Sequence, residues 1–189
     1  MEFALNLRFE YCKFWQHSNG ILTNNNFNLT VHLRYTTFQD CGSGNDLTHG
    51  AYIGRVAALE VLGCTFLTTA ASFSQPGLGH LLKSRAAVST VLGNLFNPAF
   101  GCARTIEFPN GGQVSVTGNV ILHYGSTLFA NENSAVVFGI EQNAGYASSN
   151  YAYDGRTHSF LLAQNTIRKR QPDAGGGAQP RSEERRVGK

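Results

Sequence analysis

The stretch "GHLLKSRA", residues 79–86, sets a histidine, a lysine and an arginine within six positions of one another, in a chain where only 14% of residues are charged. An imidazole accepts a proton near neutral pH, and ammonium and guanidinium groups neutralise carboxylates. Two other stretches carry complementary groups: "HGAY" at 49–52 supplies His49 and Tyr52, and "RTIE" at 104–107 supplies Arg104 and Glu107. Together these residue types fit an acidic polysaccharide. Arg85 and Lys83 would neutralise a uronate carboxylate, a neutral His80 or a deprotonated Lys83 would take the proton α to it, and Tyr52 or His49 would protonate the leaving oxygen. Lys83, Arg85, His80 and Tyr52 are thus the candidate catalytic residues of a β-elimination; His49, Arg104, Glu107 and Asn110 are candidate substrate contacts. Such a reaction needs no metal and no other cofactor if cations stabilise the enolate.

These stretches are 24 to 31 residues apart, so something must bring them together, and an internal repeat does so. One phrase recurs: "LRFEYCKF" ending at Phe14, "LEVLGCTF" at Phe66, "STVLGNLF" at Phe96, "VSVTGNVI" at Ile121 and "FLLAQNTI" at Ile167, with a weaker copy, "VHLRYTTF", ending at Phe38. Each has alternating apolar residues, a small or polar pivot (Cys12, Thr36, Cys64, Asn94, Asn119, Asn165), one further residue, then Phe or Ile. The pivots are 24, 28, 30, 25 and 46 residues apart; the last interval is either one coil with a long loop or two coils, one degraded across 143–158. Period-two alternation means strands, and a repeat of this length means a solenoid. The reading is all-β: a right-handed parallel β-helix of about five to six coils. An asparagine pivot tolerates a left-handed bend, and stacked about 4.8 Å apart its amides form a ladder.

Counting back from the pivots puts Tyr52, Lys83 and Glu107 within one residue of a common register. Ala51, Leu82 and Ile106 then share one core face with Ile53, Ser84 and Phe108. Tyr52, Lys83 and Glu107 point outward in one column, with His49, His80 and Arg104 in a parallel column three residues upstream and Arg85 on the same face. Lys83 and Glu107 are expected to pair, weakly if exposed. The competing reading is an ordinary solvated face. "PNGG" at 109–112 is a turn, with Asn110-Gly111 suited to positive φ. His17, His32, His123 and His158 read as surface or corner residues. A glycoside hydrolase would need two facing carboxylates, for which Glu107 and Glu141 are the available pair.

Composition sets the outer bounds. The chain has 189 residues, 42% of them hydrophobic, enough for one core. Its net charge of +3 belongs to the end: residues 168–189 hold 7 of 15 Lys and Arg but 3 of 12 Asp and Glu, so residues 1–167 carry 8 cationic and 9 acidic groups, a net of −1. That body lacks the basic, aromatic-interleaved stripe of a nucleic-acid surface. No run is long enough to span a membrane as a helix. Cys12, Cys41, Cys64 and Cys102 show neither paired metal spacing nor a disulfide pattern; Asp40 and Asp46 are too few carboxylates for calcium. The β-helix domain is read as 1–167, followed by a disordered basic tail, 168–189, whose last stretch "RSEERRVGK" reads as a non-native junction. The start, in mid-coil with no cap and no signal peptide, reads as an N-terminally truncated fragment of a secreted or periplasmic protein.

The stretches "NGILTNN" (19–25), "LTHGAYIGRVAALEVLGCTF" (47–66), "GHLLKSRA" and "IEFPNGGQVSVTGNVI" (106–121) resemble bacterial right-handed parallel β-helix repeat proteins of the pectate-lyase-like or polysaccharide-lyase-like kind. The resemblance covers most of residues 5–142 and implies the fold and an acidic glycan partner. Lys83-Ser84 is similar to the Lys-Ser strand end that carries the base in alginate lyases and chondroitinases of this fold. The arginine acid that such enzymes place on the next coil has no counterpart in "IEFPNGG", unless Arg85 or Arg104 serves. The calcium carboxylates of pectate lyases are also missing. The alternative to a carbohydrate-active protein is a non-catalytic scaffold or adhesin-like solenoid.

Overall fold

The computed structural model describes residues 4–42, 48–69, 79–98, 102–124, 134–139 and 157–170. The first coil contributes β1 (Leu5–Glu10) and β2 (Lys13–Trp15), and the second β3 (Ile21–Leu22), β4 (Asn26–Arg34) and β5 (Thr37–Gln39). The third holds β6 (His49–Ile53), β7 (Val56–Leu62) and β8 (Thr65–Thr68); the fourth β9 (His80–Ser84), β10 (Val88–Leu92) and β11 (Leu95–Pro98). The fifth holds β12 (Arg104–Phe108), β13 (Gln113–Thr117) and β14 (Val120–Tyr124); the sixth β15 (Ser134–Phe138), β16 (Ser159–Ala163) and β17 (Thr166–Arg170). Every pairing is parallel and joins neighbouring coils, giving sheet A (β1-β4-β7-β10-β13-β16), sheet B (β2-β5-β8-β11-β14-β17) and sheet C (β3-β6-β9-β12-β15). This is the parallel β-helix read from the repeats. No helix among the described residues is long and apolar enough to cross a membrane.

Alternation fills the interior with columns of like residues. On sheet A, Leu33, Val61, Val91 and Val116 stack in register, all fully buried. On sheet B, Phe14, Phe38, Phe66 and Phe96 stack with centroids 5.1, 4.6 and 4.8 Å apart and planes within 10°. Ile121 and Ile167 extend the same column. A 4.8 Å coil spacing is what permits ring-on-ring stacking at every step.

The corner between sheets A and B explains the pivot. The Asn94 Nδ2 group donates to Asn119 Oδ1 at 2.9 Å and to the Val61 carbonyl at 3.0 Å; Asn119 Nδ2 donates to Asn165 Oδ1 at 2.9 Å and to the Val91 carbonyl at 3.0 Å. In return each amide oxygen accepts a backbone N–H from the coil before it: Cys64 on Asn94, Asn94 on Asn119, Asn119 on Asn165. The ladder is therefore present, but the left-handed bend sits one residue earlier than the sequence reading placed it. Tyr11, Tyr35, Gly63, Gly93, Gly118 and Gln164 have φ between 49° and 66°, whereas the pivots do not. The bend aims the pivot inward, where only a side chain that bonds backbone on both sides can be buried without an unpaired group. Gly63 also admits its neighbour: a Cβ there would meet the Tyr35 ring at 2.8 Å.

The 46-residue interval is one coil. Asn119 bonds directly to Asn165, and Gln113–Thr117 pairs with Ser159–Ala163; the described part of the insertion begins with β15 on sheet C. The last strand runs past the expected boundary at 167, because Arg168, Lys169 and Arg170 pair with Leu122, His123 and Tyr124. Residues 171–189 lie outside the described residues.

Replacing Asn119 by alanine strands the Val91 carbonyl and the Asn94 N–H in the interior. The expected loss is about 2–4 kcal/mol, read as a lower urea midpoint. Asn165→Ala, at a half-buried position, should cost less.

Candidate functional site

Sheet C brings the three polar stretches together in the expected register: His49 pairs with His80, Tyr52 with Lys83, and Lys83 with Glu107. Ala51, Leu82 and Ile106 lie in the core, as do Ile53 and Phe108, and Ser84 turns inward to Ser89 Oγ at 3.1 Å.

Strict alternation would nonetheless put His80 in the core beside Leu82. The strand does not alternate strictly. Leu81 and Leu82 are both buried in the core, and Thr105 and Ile106, one coil on, are both fully buried. Two successive inward residues bend the strand and return His80 and Arg104 to the outward side, with Lys83 and Glu107. Gly50 occupies the Leu81 column in the coil before; a Cβ there would meet the Leu81 carbonyl oxygen at 2.5 Å. It is this close approach of the next coil that requires glycine at position 50.

On that side Glu107 gathers its neighbours. Its Oε2 lies 2.9 Å from His80 Nδ1 and 3.1 Å from Lys83 Nζ, and its Oε1 accepts from Arg104 Nη1 at 2.5 Å. The His49 ring is 5.0 Å from that of His80 and 5.1 Å from that of Tyr52. Beside them Arg85 Nε donates to Tyr52 Oη at 2.7 Å, and Arg85 Nη1 donates to Asn110 Oδ1 at 2.5 Å. All eight candidates therefore belong to one constellation.

The expected solvated strip is corrected in one respect: the constellation is buried. Glu107 is fully inaccessible, His80 keeps 3% and Lys83 9% of its surface, and His49, Arg85 and Asn110 are buried too; Tyr52 and Arg104 keep partial exposure. The Lys83–Glu107 pair is accordingly no weak surface pair. Burial by itself would push the Glu107 carboxyl up, but the contact with His80 and the charges of His80, Lys83 and Arg104 outweigh it and hold the group down at about 2. It is a carboxylate at any working pH.

Other expectations fare variously. Positive φ in "PNGG" falls on Gly111 and Gly112, not on Asn110, whose amide is occupied by Arg85. His17 is exposed, His32 faces Glu60, and His158 accepts the Gly112 N–H. His123 is no surface residue: it is fully buried, with Nδ1 2.8 Å from Thr105 Oγ1 and 3.9 Å from Cys102 Sγ. The period-two rule, carried two residues on from core-facing Ile121, points to it. Burial pushes the Cys102 thiol up to about 12 and so makes it inert. Asp40 is a buried corner residue that accepts from the Thr69 N–H and hydroxyl. Asp46 and Glu141 lie outside the described residues, and with Glu141 the hydrolase pair. No group of three or more His, Cys, Asp or Glu among the described residues is arranged to hold a metal ion.

Two stability tests follow. Glu107→Gln leaves buried cations without their carboxylate and should lose about 3–5 kcal/mol; Lys83→Met, which leaves Glu107 with His80 and Arg104, should lose less. Burial, with Lys169 adding a little, lowers His123 to about 4 from an ordinary value near 6.5. The unfolded chain then binds the extra proton first, so stability falls as pH drops from about 6.5 to 4, by about 3 kcal/mol in all. The Glu107 contribution is present above the unfolded carboxyl range and is lost further down, as pH falls towards 2. Urea midpoints at pH 7, 5 and 4 check the first slope, and a His123→Gln chain should lack it.

Comparison with family models, with curated proteins and with solved structures finds no match for this chain.

Proposed function

We propose that this protein is a carbohydrate-active β-helix of the pectate-lyase-like kind, exported from a bacterial cell, which binds an acidic polysaccharide at sheet C and cleaves it by β-elimination. The observation that carries the reading is the make-up of one constellation: Lys83 and Arg104 contact Glu107, and Arg85 lies beside them on Tyr52 and Asn110. Three cationic side chains, Lys83 and Arg85 buried and Arg104 half-buried, with a phenol and two imidazoles beside them, suit an anionic sugar chain better than a neutral one. Arg85 supports the recognition role, because its fork is preorganised by Tyr52 and Asn110.

A second reading, a non-catalytic scaffold in which the constellation only joins the coils, is favoured by one observation: the burial of Glu107, His80 and Lys83.

Polygalacturonate, alginate and chondroitin sulfate, with a neutral glucan as control, separate the two. The proposal expects salt-sensitive binding of at least one acidic polymer, ultraviolet absorbance from an unsaturated product, and affinity reduced about tenfold or more in Arg85→Ala, the size of one lost charged hydrogen bond. Neither binding nor product from any acidic polymer leaves the scaffold reading.

A further inference from the structure

We propose that the proton acceptor at this site is His80 rather than Lys83, with Glu107 as its positioning residue and Tyr52 as the proton donor; the inference rests on the elimination reading above. Three observations separate the histidine from the lysine. Lys83 Nζ is held 3.1 Å from Glu107 Oε2, so the one nitrogen that could accept a proton is already engaged with the carboxylate. The Nδ1 side of His80 faces that same oxygen at 2.9 Å, which favours a proton on Nδ1 and leaves the lone pair on Nε2. Both ring nitrogens of His80 are buried and neither makes a hydrogen bond of ordinary geometry; Nδ1 has Glu107 Oε2 beside it, whereas Nε2 has no polar partner among the described residues. A buried polar atom in that state is costly to keep for stability alone.

Tyr52 completes the pair. Its oxygen accepts from Arg85 Nε at 2.7 Å, and Arg85 lies 5.8 Å from its ring centroid. The phenolic proton is therefore directed elsewhere, and the guanidinium stabilises the phenolate that forms when it leaves. In the step, Nε2 takes the proton from the carbon α to the uronate carboxylate, and the C–H electron pair becomes the new C=C bond. The glycosidic C–O bond breaks at the β carbon, and Tyr52 gives its proton to the departing oxygen. Proton exchange with water returns imidazolium and phenolate to their starting forms, so no oxidant or reductant enters. Among the described residues, His49 from β6 and Glu107 from β12 face His80 directly; Tyr52 from β6 lies against His49, and Lys83 from its own strand and Arg104 from β12 lie on Glu107.

The test uses the full chain and whichever of the three acidic polymers it cleaves. Product absorbance is followed from pH 5 to 9 for wild type, His80→Gln, Lys83→Gln and Glu107→Gln, with polymer binding measured in parallel. Expected are a kcat loss of about 100-fold or more in His80→Gln with binding kept, a much smaller kcat loss in Lys83→Gln, and a single-proton rise of the wild-type rate with pH that Glu107→Gln displaces. Because His80→Gln risks misfolding, the wild-type profile stands as an independent readout: a rate flat across this range overturns the assignment. So does a Lys83→Gln chain that binds but has lost activity while His80→Gln retains it; in that case elimination stands and only the base is wrong. Wild type that forms no product from any polymer overturns elimination and assignment together.

Discussion

The whole molecule depends on each coil turning at the same place as the one before it. At the corner between sheets A and B a residue in the left-handed region turns the pivot inward, and Asn94, Asn119 and Asn165 then bond to one another and to the backbone of adjacent coils. Because each amide both donates and accepts there, a coil displaced by one residue would bury unpaired polar groups and turn its apolar residues outward. The phenylalanine column immediately after the pivot has the same requirement, since its rings stack only when the coils are aligned.

Alignment at the corner carries through to sheet C, and there it acts on charged residues instead of apolar ones. It brings Tyr52, Lys83 and Glu107 into successive strands, while the pair of inward residues in each strand returns His80 and Arg104 to the same side. Sheet A offers a contrast. Arg34 lies between Glu10 and Glu60 in a similar stack, but these side chains keep roughly a third of their exposure, and such pairs contribute little. The charges on sheet C are buried, so Glu107 has to satisfy several neighbours at once. That is a demanding arrangement to maintain for stability alone, and it is the physical reason to look for chemistry there.

Within the constellation, burial and pairing separate groups that look alike as residue types. Lysine and histidine are both plausible bases, yet one rests on the carboxylate through the atom that would react and the other through its opposite ring nitrogen. The same separation divides the arginines: Arg104 bonds Glu107, whereas Arg85 bonds neutral oxygens of Tyr52 and Asn110.

The repeat phrase, its pivots and the phenylalanine after them were legible in the chain, because a solenoid repeats one local problem and so repeats one local answer. From that register alone, Tyr52, Lys83 and Glu107 could be stacked. What the sequence could not disclose was the environment of those residues: period-two counting assigns faces, but does not say whether a face turned from the core is wet. Only the tertiary structure showed the double inward step at Leu81 and Leu82, the left-handed residue ahead of each pivot, the single coil across the 46-residue interval, and the buried cationic neighbours that hold Glu107 ionised against the effect of burial. Each of these depends on atoms of other coils, which lie some 24 to 46 residues away along the chain, and no local pattern encodes the dielectric or the partners that such atoms supply.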